Sequence, residues 1–182
     1  MGRKHIRYVF PVFLVMLCAV ATGALAAPAE MPNRKPGLWE VAINRSGGHI
    51  PSQTVQHCTD ATTDKDMSGT FAPMTKDMCS KQDMQKTATG MTIDSTCNIG
   101  GMTSVSHMEV TGDFNSAYTV KITSQNSGGP AGMPHETSTT MEAKWLGACK
   151  ADQKPGDMIM PGGVKMNIKD LQKLRDAMPK QQ

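Results

Sequence analysis

The chain has 182 residues, 19 lysines and arginines against 16 aspartates and glutamates, and only 4% aromatic residues. The formal charge of +3 belongs to residues 1–26, where Arg3, Lys4 and Arg7 stand without an acid; the rest of the chain balances at 16 against 16. A balanced chain lacks the clustered cationic surface that displaces counterions from phosphates, so no nucleic-acid partner is expected.

The three leading cations precede an apolar run from Val9 to Val20 that ends at Ala24-Leu25-Ala26. This is the pattern of a secretory signal over residues 1–26, cleaved before Ala27. Cys18 is a poor lipid acceptor because Met16 and Leu17, not small residues, precede it. No later stretch approaches the ~20 apolar residues of a membrane helix, so a soluble exported protein with no further transmembrane segment is expected. Residues 27–35 read as a flexible N-terminus, 36–167 as a single β-rich disulfide-stapled domain, and 168–182 as a C-terminal helix and tail.

Beyond the leader, Leu, Ile, Val and Phe together number only nineteen, supplemented by fourteen methionines. A core of this kind is thin and leans on a flexible side chain that fills gaps without defining a shape. Period-two alternation marks the strands. Trp39, Val41 and Ile43 alternate with Glu40, Ala42 and Asn44, and after the loop Ser46-Gly47-Gly48-His49 the segment Thr54–Cys58 reads as the returning strand. Thr59 is placed to cap a short helical turn over Asp60–Asp66, with acids near its start. A loop is expected at Gly69–Lys76.

Cys79–Lys86 and Met91–Asn98 form a hairpin around Thr87-Ala88-Thr89-Gly90. A four-residue turn sets Met84 opposite Ile93 but Ser80, rather than Cys79, opposite Cys97; either a bulge removes the conflict or Cys79 does not pair with Cys97. Met102–Val110, Tyr118–Ser124 and Glu136–Leu146 continue the strand pattern. Asp157–Met160 and Val164–Asn167 flank the turn Pro161-Gly162-Gly163, and Asn167 caps a helix carrying Ile168, Leu171, Leu174 and Met178 on one side before Pro179. The sum is an all-β antiparallel meander, forming a curled sheet or partly open barrel, with a short helical turn after Cys58 and a C-terminal helix.

Four cysteines follow the leader, an even number in an exported chain, and two disulfides are the default in an oxidising compartment. Their spacing contains no Cys-x-x-Cys, which speaks against thioredoxin chemistry and zinc knuckles. Of the three connectivities, Cys79–Cys97 with Cys58–Cys149 is favoured. The first clamps the local hairpin and the second ties an early strand to a late one.

Several segments together resemble a bacterial secreted family catalogued as domain of unknown function 3617. They are Lys35-Pro36-Gly37-Leu38-Trp39-Glu40-Val41, Gln56-His57-Cys58-Thr59, the pair Cys79 and Cys97, Trp145-Leu146-Gly147-Ala148-Cys149, and Lys154-Pro155-Gly156-Asp157-Met158. The similarity spans about Pro36 to Asp157. It implies export to the periplasm of a Gram-negative bacterium and a β-rich fold. It implies no reaction, so Pro36, Gly37, Trp39, Trp145 and Gly147 enter as structural residues.

Thioethers are soft ligands suited to Cu(I). Met158 and Met160 lie two apart, Met74 and Met78 four apart, and His49, His57, His107 and His135 offer imidazoles. The methionines are scattered, however, and residues two apart on a strand share a face that suits burial equally well. Core filling is therefore the favoured reading, with Met158, Met160 and His57 as weak metal candidates. A curled sheet with an apolar interior also offers room for a small hydrophobic ligand, against the plainer reading of a filled interior. Trp39, methionines and the loop Gly47–Pro51 provide a third reading, contact with an envelope protein. No GxSxG or HExxH signature is present, and Asp94, Glu109 and Asp113 read as solvated strand or turn positions. The expectation is a non-catalytic binding or envelope-maintenance module with no cofactor, holding a small apolar ligand; the alternatives are methionine-based Cu(I) binding and an envelope protein-interaction module.

Overall fold

The structure, a computed structural model, describes residues 31–46, 51–66 and 78–177. The expected leader over residues 1–26, most of the two loops expected at 46–49 and 69–76, and the helix end at 178 and 179 lie outside the described residues. Nine strands form: β1 (Gly37–Ser46), β2 (Gln53–Thr59), β3 (Cys79–Thr87), β4 (Gly90–Ile99), β5 (Met102–Asp113), β6 (Ala117–Ser127), β7 (Glu136–Gly147), β8 (Asp157–Ile159) and β9 (Lys165–Asn167). They make one open antiparallel sheet in the order β3-β4-β5-β6-β7-β1-β2-β8-β9. Two of its joins, β7 with β1 and β2 with β8, are non-sequential. The sheet does not close into a barrel, and β3 and β9 are its edges. On β3 the exposed Lys81, Asp83 and Lys86 discourage further strand pairing.

Facing residues of antiparallel neighbours point the same way, so the register defines two surfaces. One row runs Met91, Val110, Val120, Met141, Ile43, and a second runs Met84, Ile93, Met108, Ile122. A third runs Trp145, Trp39, His57, Met158, Met166. These rows share the inner face. Its buried parts are Trp39, Val41, Val55 and Ala143 on one side and Met91, Ile93, Val110 and Val120 on the other, bridged by Tyr118 and Met141. Glu40, Lys144, Glu142, Lys121, Glu109 and Asp94 fall on the opposite, outer face, as the alternation requires.

The hairpin of β3 and β4 contains a bulge, which decides between the two alternatives in favour of the Cys79–Cys97 pairing. Met84 faces Ile93 and Cys79 faces Cys97, with the register shift between Cys79 and Lys81 leaving Ser80 as the extra residue. Disulfides join Cys79 to Cys97 and Cys58 to Cys149.

One expectation is corrected. Thr59 does not cap the first helix, α1 (residues 61–66), because β2 runs through Thr59 and buries it. Asp60 caps instead: its Oδ1 accepts from the Thr63 N–H at 2.7 Å, and the Asp60 N–H donates to Thr63 Oγ1 at 3.0 Å. This reciprocal pair satisfies two backbone donors at once, and the bonds the Asp60 carboxyl accepts from the Thr63 N–H and hydroxyl hold it below its ordinary pKa. At the second helix, α2 (Ile168–Ala177), Asn167 Oδ1 accepts from the Lys169 N–H at 3.0 Å, a cap as expected. Ile168 is buried, whereas Leu174 on the same side is 62% exposed. Among the described residues no helix is long and apolar enough to cross a membrane.

The two motif segments around Trp39 and Trp145 meet where β1 joins β7. Gly37 has φ +134°, a conformation that favours glycine, and a Cβ there would collide with the Gly147 carbonyl and lie 2.6 Å from Trp145 Nε1. Trp39 Nε1 donates to the Lys35 carbonyl at 2.8 Å and Trp145 Nε1 to the Pro36 carbonyl at 3.1 Å.

Two outcomes follow for stability. The bridges close loops of 91 and 18 residues, worth roughly 4.6 and 3 kcal/mol on a chain-entropy basis. The double variant Cys58→Ser/Cys149→Ser is expected to lose more stability than Cys79→Ser/Cys97→Ser in urea unfolding, and the reverse order would contradict the account. Gly37→Ala is expected to lower the melting temperature well beyond Gly163→Ala, because Gly163 also has positive φ but meets nothing within 4 Å.

Candidate functional site

Residues 31–36 cross the inner face before β1 begins. The Lys35 N–H donates to the Phe114 carbonyl in the turn between β5 and β6 at 2.8 Å. That contact fixes the segment and turns Arg34 inward, although Arg34 belongs to the stretch expected as a flexible N-terminus. Arg34 Nε lies 2.7 Å from Asp64 Oδ1, and the Arg34 backbone N–H donates to Asp64 Oδ2 at 2.7 Å. The side chains are 8% and 6% exposed. Asp64 is delivered by α1, whose Asp60 cap sets the helix and whose Asp64 N–H returns to the Asp60 carbonyl at 2.9 Å. Removing either partner would strand a buried charge, at a cost of about 3–5 kcal/mol.

Three rings gather round the Arg34 guanidinium. Its carbon is 5.9 Å from the centroid of the fully buried Trp39, within cation–π range. Tyr118 lies 5.6 Å from Trp39 and stacks on Phe114 at 4.6 Å. Burial raises the Tyr118 pKa, with Arg34 opposing, so the phenol stays protonated. The third ring is His57, whose Nδ1 is 3.4 Å from Arg34 Nη1. Burial, then the Arg34 charge, lower its pKa to about 4, against a smaller upward pull from Asp64. His57 is neutral at pH 7. A guanidinium only donates, so Nδ1 accepts and the proton sits on Nε2.

That tautomer bears on the metal candidates. The register sets His57 directly opposite Met158, and Met160 packs on the cluster around Trp39, so the structure brings all three together. A ligating imidazole ordinarily donates its second N–H to a carboxylate or carbonyl. His57 turns its second nitrogen to a cation instead. Among the described residues no group of three or more His, Cys, Asp or Glu is arranged to hold a metal ion.

Beside the Arg34–Asp64 pair lies a concavity of about 320 Å³. Val41, Val120, Met108, Met141, Phe114 and Tyr118 line it, Met31 and Pro32 form its rim, and Arg34, Asp64 and His57 make one polar wall. The wall carries one cation, one anion and a neutral imidazole, so its net charge is zero at neutral pH. Such a site can hold an apolar body and offer it hydrogen bonds, but not a net field.

On the outer face Asp94 and Glu109 flank His107, with Asp94 Oδ1 2.7 Å and Glu109 Oε1 3.6 Å from the imidazole nitrogens. The hydrogen bond to Asp94 raises the His107 pKa. All three side chains are about half exposed, and exposed pairs of this kind contribute little to stability. Asp113 caps the Phe114 turn through the Asn115 N–H at 2.9 Å and Ser116 Oγ at 2.9 Å, a structural use. The residues that sequence reasoning missed are Arg34, Asp64 and Tyr118. The only local signal was the position of Arg34 immediately before the Lys35–Val41 motif.

A pH dependence follows from His57. An unfolded histidine binds its proton near pH 6.5, and folded His57 binds only near 4. Between those values the unfolded state holds more protons, so stability rises with pH; it is complete above 6.5 and is lost as pH falls toward 4. The window is worth about 3 kcal/mol at most. Urea midpoints measured from pH 7 to 4 are expected to fall less steeply for His57→Gln than for the unaltered chain, and parallel slopes would remove His57 as the cause.

Comparison with known proteins gives a family and no activity. No curated protein and no solved structure matches this sequence. The family profile described as protein of unknown function (DUF3617) matches residues 34–149. Its span starts at the buried Arg34 and ends at Cys149, leaving the Lys154–Met158 segment outside. It therefore contains both disulfides, the β1–β7 join and the whole Arg34–Asp64–His57 wall, and the chain belongs to this family of proteins of unknown function.

Proposed function

We propose that this chain is a non-catalytic binding module of the periplasm, exported by a leader over residues 1–26, that holds a small apolar ligand against the inner face of its sheet. The carrying observation is the concavity of about 320 Å³ walled by Val41, Val120, Met108 and Met141, aromatic at one end and charge-compensated at the other. Its volume lies at the small end of the range for ligand pockets, and its lining has their usual make-up of many apolar groups with a few fixed polar ones. Flexible methionines suit a tolerant pocket. Two disulfides fit an oxidising compartment. The polar groups of the wall are occupied with one another, which supports holding rather than turnover. The Cu(I) alternative draws on the His57–Met158 register but has Arg34 against it.

The test uses the neutral dye N-phenyl-1-naphthylamine and native mass spectrometry of protein taken from its host's periplasm. The dye is expected to bind one site with affinity of micromolar or better, about −8 kcal/mol. Met108→Glu, which puts a charge in the concavity at a half-buried position, is expected to weaken it at least tenfold. A clean ligand-free spectrum together with no saturable dye binding would refute the proposal.

A further inference from the structure

Along each strand the inner face changes character. Two residues beyond Met108 on β5 and Ile122 on β6, the same face carries Ser106 and Ser124, directly opposite one another. The row continues to Ser95 on β4 and Thr137 on β7. Ser106 Oγ and Ser124 Oγ are 2.8 Å apart, and Ser104 Oγ is 3.4 Å from Ser106 Oγ. All of these side chains are half-buried. Successive same-face residues on a strand are about 7 Å apart, so this hydroxyl ladder adjoins the floor of the apolar concavity, of which Met108 is part.

We propose that the occupant is an uncharged amphiphile, its apolar chain in the concavity and a neutral hydroxyl-bearing head on the ladder Ser95–Ser106–Ser124–Thr137. The proposal rests on the binding-module reading and adds the ligand's class. Charge complementarity selects the head. The ladder's own four side chains hold no ionisable group, and the concavity's single cation is already neutralised by Asp64 at 2.7 Å. On the same face the exposed Arg45 stands opposite Thr139, at the β1 end of the neighbouring row; an ammonium head would find no counter-charge on the ladder, and a carboxylate only this solvent-screened one. Each serine hydroxyl offers one donor and two acceptor sites, so the Ser106–Ser124 and Ser104–Ser106 bonds leave capacity for a guest's hydroxyls. A site made to pair with a hydroxyl discriminates against analogues lacking it, because its own polar groups would be left unpaired.

The experiment displaces bound N-phenyl-1-naphthylamine with octyl β-D-glucoside, octanoate or octyltrimethylammonium, which share a chain length and differ in head charge, all below their critical micelle concentrations. The glucoside is expected to compete at least fivefold better than either ion. Ser106→Ala/Ser124→Ala should abolish that preference, the glucoside's competition falling to that of the two ions, and Ser106→Thr, which keeps a hydroxyl, should retain it. Equal competition by the three heads, or a preference that survives the double alanine variant, overturns the assignment of the head and leaves the binding module standing. Absence of saturable dye binding together with a ligand-free native mass spectrum overturns both, and a co-purified ligand with a charged head overturns the assignment of the head.

Discussion

The join between β1 and β7 is the constraint on which the rest of the sheet depends. Trp39 and Trp145 face each other there although they stand near opposite ends of the strand order in sequence. Closing so long a loop costs entropy before any contact offsets it, and the structure concentrates its specific interactions at this seam. Gly37 lets the backbone pass against Gly147, each indole donates to a carbonyl of the entering segment, and Arg34 lies over the Trp39 ring. The Cys58–Cys149 bridge spans the same seam, since β2 and β7 are the two neighbours of β1. With the ends of β1 held, the β4–β7 hairpins extend the sheet on one side by local pairing alone. The two motif segments near either end of the family match are thus two halves of one contact.

The Arg34–Asp64 pair is an unexpected feature in a chain with so few bulky apolar residues. A buried ion pair contributes little net stability compared with well-packed hydrocarbon. Its effect is positional. It ties the segment before β1 to α1, over the inner face, through a side-chain bond and a backbone bond to the same carboxylate. It also fixes the state of its neighbours, since an imidazole pressed against the guanidinium stays neutral and a phenol beside it stays protonated.

Most of the fold was legible because alternation is a local signal. Trp39, Val41 and Ile43, then Tyr118, Val120 and Ile122, then Met141, Ala143 and Trp145, mark one face of three strands that do lie side by side in the order β6-β7-β1. The Ser80 bulge was legible as a parity conflict, because one hairpin could not satisfy both Met84 opposite Ile93 and Cys79 opposite Cys97 without an extra residue. The helix cap was misassigned by one position, as both Thr59 and Asp60 are good caps and only the extent of β2 decides between them. The site was not legible. Arg34 and Asp64 are remote in sequence, on a segment and a helix that no periodicity connects. A charged residue with a buried partner looks in sequence like any solvated one.

The shortage of large side chains and the presence of a concavity are two aspects of one packing problem. A nine-stranded sheet presents a wide inner face, and the chain covers part of it with Trp39, Phe114 and the segment carrying Arg34. Val110 and Trp39 are fully buried, yet Met108, Ile122 and Met141 on the same face remain only half-buried. Interiors elsewhere are packed to crystal-like density, so a half-covered apolar floor forgoes dispersion contacts that a better-filled core would make. Larger side chains at Val41 or Val120, which line the concavity, would recover them but close the space. The thin core is therefore consistent with a sheet whose face is kept open for a guest, the covalent bridges supplying the stability that packing does not.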